Sequence, residues 1–276
     1  MTIRELLHNL RERLIPSMSD LAQSEAEAII EQTLNITKAL LYINAPKIVD
    51  KTDLKRIEQI MERRLRGEPL QYIFGKAFFY DREFFIDENV LIPRPDTETL
   101  VEAVINTEKD DIARFIDIGT GSGILAAVLT AHRPGWTAVA IDVSYKALKT
   151  AARNCSNGNI HILCCDMFGA IKPEKQFDFI VGNPPYISSA QMAGLDKSVV
   201  NYEPHTALRG GDDGLDYYRT ISSQAKMYLK DSGRLYLEIG YDQGVSVPKI
   251  FTDDDWKDIA IIKDLGDRNR VVLIKF

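Results

Sequence analysis

Asn183-Pro184-Pro185-Tyr186 sets an amide, two prolines and an aromatic ring directly after the apolar run Phe177-Asp178-Phe179-Ile180-Val181. Each proline fixes φ near about −65° and removes a backbone donor, and a residue before proline is driven out of the helical region. The chemistry this permits is acceptance. The Asn183 side-chain oxygen and the Pro184 carbonyl form a stiff cradle, with Tyr186 as a flat wall and Pro185 holding the turn. A planar NH2 group offers two donors and needs two such acceptors. An isolated motif of this kind reads equally well as a proline turn, so its neighbours along the chain decide.

Asp117-Ile118-Gly119-Thr120-Gly121-Ser122-Gly123 follows another apolar run and opens a helical pattern. Glycines there let the turn tighten and a ligand approach the backbone. The dinucleotide fingerprint requires glycine where this chain has Ile124. Asp117 repels a pyrophosphate but suits an ammonium group. Asp142, 19 positions beyond Gly123, ends the next strand, where an acid binds ribose hydroxyls. Ribose and ammonium without phosphate describe S-adenosylmethionine. Its expected contacts are Asp117, Gly119, Thr120, Gly121, Ser122, Gly123, Asp142 and Asn183, with Asp166 on the adenine amino group and Met167 and Phe168 sandwiching the ring. Four consecutive strand ends thus carry polar groups on one edge. No metal spacing is present, so no metal is expected.

These residues need a scaffold, and the pattern along the chain supplies one. Up to about Arg66 it is helical. Ile3, Leu6, Leu7, Leu10 and Leu14 mark a first helix that Pro16 should stop; Ser24 and Glu27 have capping-box spacing; Asp53 can cap a further helix that Gly67 ends. From Gly67 to Phe85 aromatics cluster, which fits short extended pieces or a β-hairpin. Pro93-Arg94-Pro95 delays the next helix to Asp96 or Thr97. From Arg114 strands and helices alternate to Val271–Phe276, implying α/β architecture with a doubly wound, mostly parallel sheet. The expected division is a helical substrate-binding domain over 1–75, an extended or hairpin linker over 76–97, and a Rossmann-like catalytic domain over 98–276.

Composition narrows the function. Of 276 residues 45% are hydrophobic and 27% charged, as in ordinary globular proteins, and a net charge of −6 argues against a surface built for duplex phosphates. The three cysteines, Cys155, Cys164 and Cys165, lack metal spacing and are expected as core thiols in a reducing compartment. With no apolar run long enough to span a bilayer and no signal peptide, the expectation is a cytoplasmic monomer without membrane or direct nucleic-acid partners.

The acidic-GxGxG loop together with Asn-Pro-Pro-Tyr resembles the class I methyltransferases that modify planar amino nitrogens. The chain is more closely similar to the HemK/PrmC family, through Gly67-Glu68-Pro69-Leu70-Gln71-Tyr72-Ile73-Phe74-Gly75, Val90-Leu91-Ile92-Pro93-Arg94-Pro95-Asp96-Thr97-Glu98, Tyr202-Glu203-Pro204 and Leu208-Arg209-Gly210-Gly211-Asp212-Asp213-Gly214. Where the family often has Trp, this chain has Met167. The resemblance implies a seven-stranded sheet, S-adenosylmethionine as methyl donor, S-adenosylhomocysteine as product, and a glutamine of a peptide-chain release factor as the acceptor, methylated at N5. Asn183, Pro184 and Tyr186 are then catalytic, and Asn183, Pro184, Pro185, Tyr186 and Arg94 bind substrate. Arg94 and Glu98 are expected at the mouth of the site, under a long loop from Ile187 to about Gly214. The alternative acceptor is a DNA base, adenine N6 or cytosine N4.

Overall fold

The computed structural model describes residues 1–156 and 158–275; Asn157 and Phe276, the latter the expected end of the final strand, lie outside the described residues. The chain divides into two compact units, Met1–Gly75 and Lys76–Phe276, and residues 76–97 fall within the second.

The first unit is helical: α1 (Ile3–Met18), α2 (Ala22–Leu34), α3 (Lys38–Ile43), α4 (Lys51–Leu65) and α5 (Leu70–Phe74). Leu6, Leu10 and Leu14 of α1 recur at helical spacing and meet Ala26, Ile29 and Ile30 of α2 and Ile57 and Met61 of α4 in one buried core. Three expectations at helix ends are corrected. Pro16 lies inside the last turn of α1, on an exposed face where water can reach the carbonyl it leaves unpaired. Ser24 and Glu27 form no capping box, because α2 has already begun at Ala22; buried Glu27 pairs with Lys38 at 2.6 Å. Asp50, not Asp53, caps α4, accepting from Thr52 N at 2.7 Å.

The second unit opens with an antiparallel hairpin, β1 (Lys76–Phe79) and β2 (Arg82–Phe85), and a 3-10 turn at Pro95–Thr97 leads into α6 (Glu98–Thr107). There follow β3 (Arg114–Ile118), α7 (Ile124–His132), β4 (Thr137–Asp142), α8 (Tyr145–Asn154), β5 (Ile160–Cys164) and β6 (Phe177–Gly182). Residues 187–214, expected as a long loop, carry α9 (Ser189–Met192), α10 (Lys197–Tyr202) and a 3-10 turn at His205–Ala207. The chain ends with α11 (Asp216–Gln224), β7 (Leu229–Glu238), α12 (Ser246–Asp253), β8 (Lys257–Lys263) and β9 (Asn269–Lys275). Seven strands form one sheet in the order β5-β4-β3-β6-β7-β9-β8. It is parallel from β5 to β7, and β9 runs antiparallel to both its neighbours. This is the mostly parallel, doubly wound sheet that the alternation implies.

The central strands are apolar because both their faces are covered. Phe115 of β3 stacks on Phe179 of β6, with centroids 4.7 Å apart and planes within 9°, and Trp136 and Tyr236 meet Phe179 edge-on. Truncating Phe179 to Ala in such a setting costs about 3–5 kcal/mol. From β3 the chain winds toward one edge through β4 and β5, then returns to lie beside β3 as β6. Strand order therefore reverses between β3 and β6, the position where open α/β sheets bind ligands. At that point Ile118 pairs with Gly182. A Cβ on Gly182 would stand 2.7 Å from the Ile118 carbonyl oxygen, so glycine is what lets the two strand ends leave the sheet in contact.

Cys155 is buried, whereas Cys164 is exposed and Cys165 half-buried, so the cysteines are not all core thiols. The reason is that β5 is an edge strand whose successive residues face opposite ways. Among the described residues no helix is long and apolar enough to cross a membrane.

Candidate active site

The glycine-rich loop leaves β3 with Gly119, Gly121 and Gly123 all at positive φ, a conformation that side chains resist. Two carboxylates hold it. Asp142, at the end of β4, accepts from Gly121 N at 2.9 Å and from Ser144 N at 2.8 Å. Burial raises its pKa above the usual carboxylate value, against those two hydrogen bonds. Each of its oxygens keeps a lone pair for a ligand hydroxyl. Asp117 is wholly buried behind the loop; Oδ2 accepts from the Thr120 hydroxyl at 2.6 Å and Ala126 N at 3.1 Å, while Oδ1 has no partner among the described residues. Complete burial pushes its carboxyl up to about 7.

One strand over, Asn183 donates from Nδ2 to the Thr97 hydroxyl at 3.3 Å. Its Oδ1 and the Pro184 carbonyl accept no hydrogen bond from any described residue, so both acceptors are free. The motif is pinned from behind. Gln243 donates to the carbonyls of Tyr186 and Gly214, each at 3.1 Å, and the Tyr186 hydroxyl reaches Glu238 Oε1 at 3.4 Å. Burial raises the Tyr186 pKa further above its normal range, with the Glu238 charge next in weight.

A cleft enclosing about 1000 Å³, solvent included, runs along these strand ends, room enough for a nucleoside-sized ligand. Of the residues singled out in the sequence, Gly119, Thr120, Gly121, Ser122, Asp142, Asp166, Met167, Asn183, Pro185 and Arg94 line it. The others stand elsewhere. Asp117 supports the loop rather than facing the cleft, and Gly123 packs so tightly on Cys155 that a Cβ would lie 2.6 Å from its sulfur. Met167 takes φ 47°, which turns Phe168 away from the cleft to stack on Tyr228 at 4.6 Å in the core. Pro184 is buried, and the half-buried Tyr186 packs against the core outside the cleft lining. Arg94 pairs with buried Glu203 at 2.5 Å, which ties the 187–214 segment to the cleft wall. Glu98 does not reach the mouth; it accepts from Tyr80 N at 2.9 Å and steadies the hairpin turn.

Residues 5–75 match the PrmC N-terminal domain family, and residues 95–211 match the methyltransferase small domain family. The chain is 37% identical over 279 residues to the release factor glutamine methyltransferase of Streptococcus pneumoniae, covering 99% of this chain and 98% of that one. The chain belongs to the release factor glutamine methyltransferase family. Another family member, from Thermodesulfovibrio yellowstonii, is 39% identical over 257 residues, covering 91% of each chain. A solved methyltransferase from Pyrococcus furiosus superposes with a TM-score of 0.52 at 16% identity, over 80% of this chain and 98% of that one, which shows the shared fold.

In this member of the release factor glutamine methyltransferase family, three further residues belong to the site. Tyr217 and Thr97 line the cleft, and buried Glu238 meets the Tyr186 hydroxyl at 3.4 Å. Thr97 looks in the sequence like a helix cap, Tyr217 like one face of an amphipathic helix, and Glu238 like an ordinary strand end. Only the crossing of distant elements reveals them.

Proposed function

We propose that the chain transfers a methyl group from S-adenosylmethionine to the N5 amide nitrogen of a glutamine in a peptide-chain release factor, releasing S-adenosylhomocysteine. The observation that carries this reading is the pairing of Ile118 with Gly182, which sets the glycine loop and the two free acceptors of Asn183 and Pro184 side by side at the switch point. The names of relatives matched over nearly the whole chain support the substrate.

The residues present fit the donor. Asp142 accepts from ribose hydroxyls, Asp166 from the adenine amino group, and the loop's backbone lets the ligand approach closely. Two cleft carboxylates favour a cationic ligand and disfavour a phosphate. Tyr217 and Met167 are the cleft-facing groups with area to pack on the adenine, in place of Phe168. When bound, S-adenosylmethionine supplies an electrophilic methyl group on a sulfonium.

An amide nitrogen is a weak nucleophile because its lone pair is shared with the carbonyl. Asn183 Oδ1 and the Pro184 carbonyl accept its two N–H bonds, raise electron density on nitrogen and fix its direction. Holding the reacting atoms in line is the main contribution a protein makes to such a displacement. Among the described residues no strong base adjoins the acceptors, so the proton leaves to water after the nitrogen becomes acidic. The helical unit Met1–Gly75 grips the release factor in this proposal, supported by its family match and by exposed Tyr42, Ile43 and Ile48. Ile43→Asp then raises KM for the factor and leaves S-adenosylmethionine affinity unchanged.

The test is methyl transfer from methyl-labelled S-adenosylmethionine offered separately to release factor and to unmethylated DNA. Label is expected on a glutamine of the factor. Label on DNA and none on the factor overturns the proposal.

A further inference from the structure

Ser122, buried, is the last residue of the glycine-rich loop before Gly123 and α7. In a regular helix the Ala126 N–H would return to the Ser122 carbonyl, four residues back. Here that N–H is diverted to Asp117 Oδ2 at 3.1 Å, and the first helical bond runs from Ala127 N to Gly123 O at 2.9 Å. A carbonyl on a buried residue still needs a donor. Asn154, in the last turn of α8, supplies one, donating from Nδ2 to Ser122 O at 2.8 Å. Asp117 takes the donor that opens the helix, and Asn154 serves the acceptor left behind.

The rest of the Asn154 amide is spent on one residue of the hairpin. Oδ1 accepts from Phe85 N at 2.8 Å and Nδ2 donates to Phe85 O at 2.9 Å, so the side chain pairs with Phe85 as a neighbouring strand would. Three hydrogen bonds fix the amide plane, and both Nδ2 hydrogens are in use. Two more contacts set α8 between the same two elements. Thr150 donates to Asp87 Oδ2 at 2.8 Å, and Asp87 Oδ1 accepts from the main chain of Asn89, a residue of the cleft wall, at 2.9 Å. On the loop side, Gly123 lies against Ala151 and Cys155. Fixed points matter in this loop, because its three glycines lose more freedom on ordering than other residues do.

We propose that Asn154 is a positioning residue for the methyl donor: it ties the Ser122 main chain to β2 and so makes the hairpin part of the frame that shapes the donor loop. Asn154 is not among the described residues that line the cleft, whereas Ser122 is, so Asn154 acts through that carbonyl. The place demands one acceptor and two donors in a single plane, which a primary amide provides and a carboxylate or hydroxyl does not. The inference rests on the function proposed above for the identity of the donor; the brace itself is a property of the free protein.

The experiment compares three variants with wild type. Asn154→Leu keeps the volume and loses all three hydrogen bonds. Asn154→Asp keeps an acceptor for the Phe85 N–H and loses both donors. Arg153→Ala removes a packing contact of the hairpin, a guanidinium 3.1 Å over the Phe85 ring, and leaves Asn154 in place. Amide hydrogen exchange is read first, in the unliganded proteins. The N–H groups of Thr120, Gly121 and Gly123 are bonded to Ile141 O, Asp142 Oδ2 and Thr120 O. In both Asn154 variants they should exchange about 10-fold faster, a larger change than any in β3 or β6, and in Arg153→Ala they should stay within about twofold of wild type. Calorimetry with S-adenosylhomocysteine should then give a Kd raised about 10-fold in both Asn154 variants and unchanged in Arg153→Ala. With release factor and saturating donor, kcat should hold within about threefold, so that the loss falls on KM for S-adenosylmethionine. Loop amides that exchange at wild-type rates in the Asn154 variants, or a Kd within about twofold of wild type in both, overturn the brace. An Arg153→Ala protein that loses as much affinity as they do overturns it as well. If Asn154→Leu does not fold, Asn154→Asp carries the same test. A wild type that binds no S-adenosylhomocysteine overturns the function proposed above, and the exchange rates then decide the brace by themselves.

Discussion

Asp117 and Glu238 are the same device at two places in the sheet. Each ends a strand next to β6, each is buried, each has one oxygen engaged and one without a partner among the described residues, and each is pushed up to about 7 by burial. They differ in what they hold. Asp117 takes a backbone N–H and the hydroxyl of a loop residue, so it shapes main chain and through it the donor-binding loop. Glu238 faces the Tyr186 hydroxyl at 3.4 Å, so it meets a side chain rather than main chain. A buried acid can thus brace main chain on one side of a reaction site and meet a side chain on the other, and the identity of its partners decides which.

The comparison breaks first at Asn183. Asn183→Ala removes one of the two proposed acceptors, and kcat for release factor methylation should fall about 10³-fold. The Kd for S-adenosylmethionine, measured by calorimetry, should stay within a few-fold of wild type. A large loss of donor affinity would mean that the two halves of the site are not separable.

Asp142→Ala attacks the donor half alone. Two lost hydrogen bonds to a ribose should weaken S-adenosylmethionine about 100-fold, while kcat at saturating donor changes much less. Asp117→Ala, with the carboxylate strut gone, leaves Ala126 N–H buried without its acceptor and should cost about 1–3 kcal/mol of stability. Thermal unfolding reads that loss, and donor affinity should drop with it, because the loop it braces carries the site.

The smallest effect is on pH. Both acids have folded pKa values above their unfolded ones, so the native state binds more protons and stability falls as pH rises. The stabilisation is complete below about 4 and lost by about 7, the folded value of both groups. The unliganded wild type should melt a few degrees lower at pH 8 than at pH 5 by this contribution, and Asp117→Asn with Glu238→Gln together should flatten the difference. A melting curve that rises over that interval in wild type, relative to the double variant, would falsify the shared device.

The sheet and most of the donor loop were legible because each strand is an apolar run ended by a polar residue, and the ends of successive parallel strands must share an edge. The sequence puts Asp117 in the right loop, but nothing local says that its carboxylate turns inward to Thr120 and Ala126 N. The position of Phe168 depends on one left-handed residue at Met167, a conformation that a methionine does not announce. Thr97 and Asn183 are 86 positions apart in the chain, and nothing local announces the hydrogen bond between them. Pro16 reads in the sequence as a stop, although a proline in a last, exposed turn costs little there.

The contact between Ile118 and Gly182 has one more consequence. Neighbouring parallel strands are held about 4.8 Å apart by their hydrogen bonds, whatever side chains they carry. Since the glycine-rich loop and the Asn183 motif spring from adjoining strands at paired residues, the separation of their backbones is ruled by the main-chain lattice, whatever side chains surround the cleft.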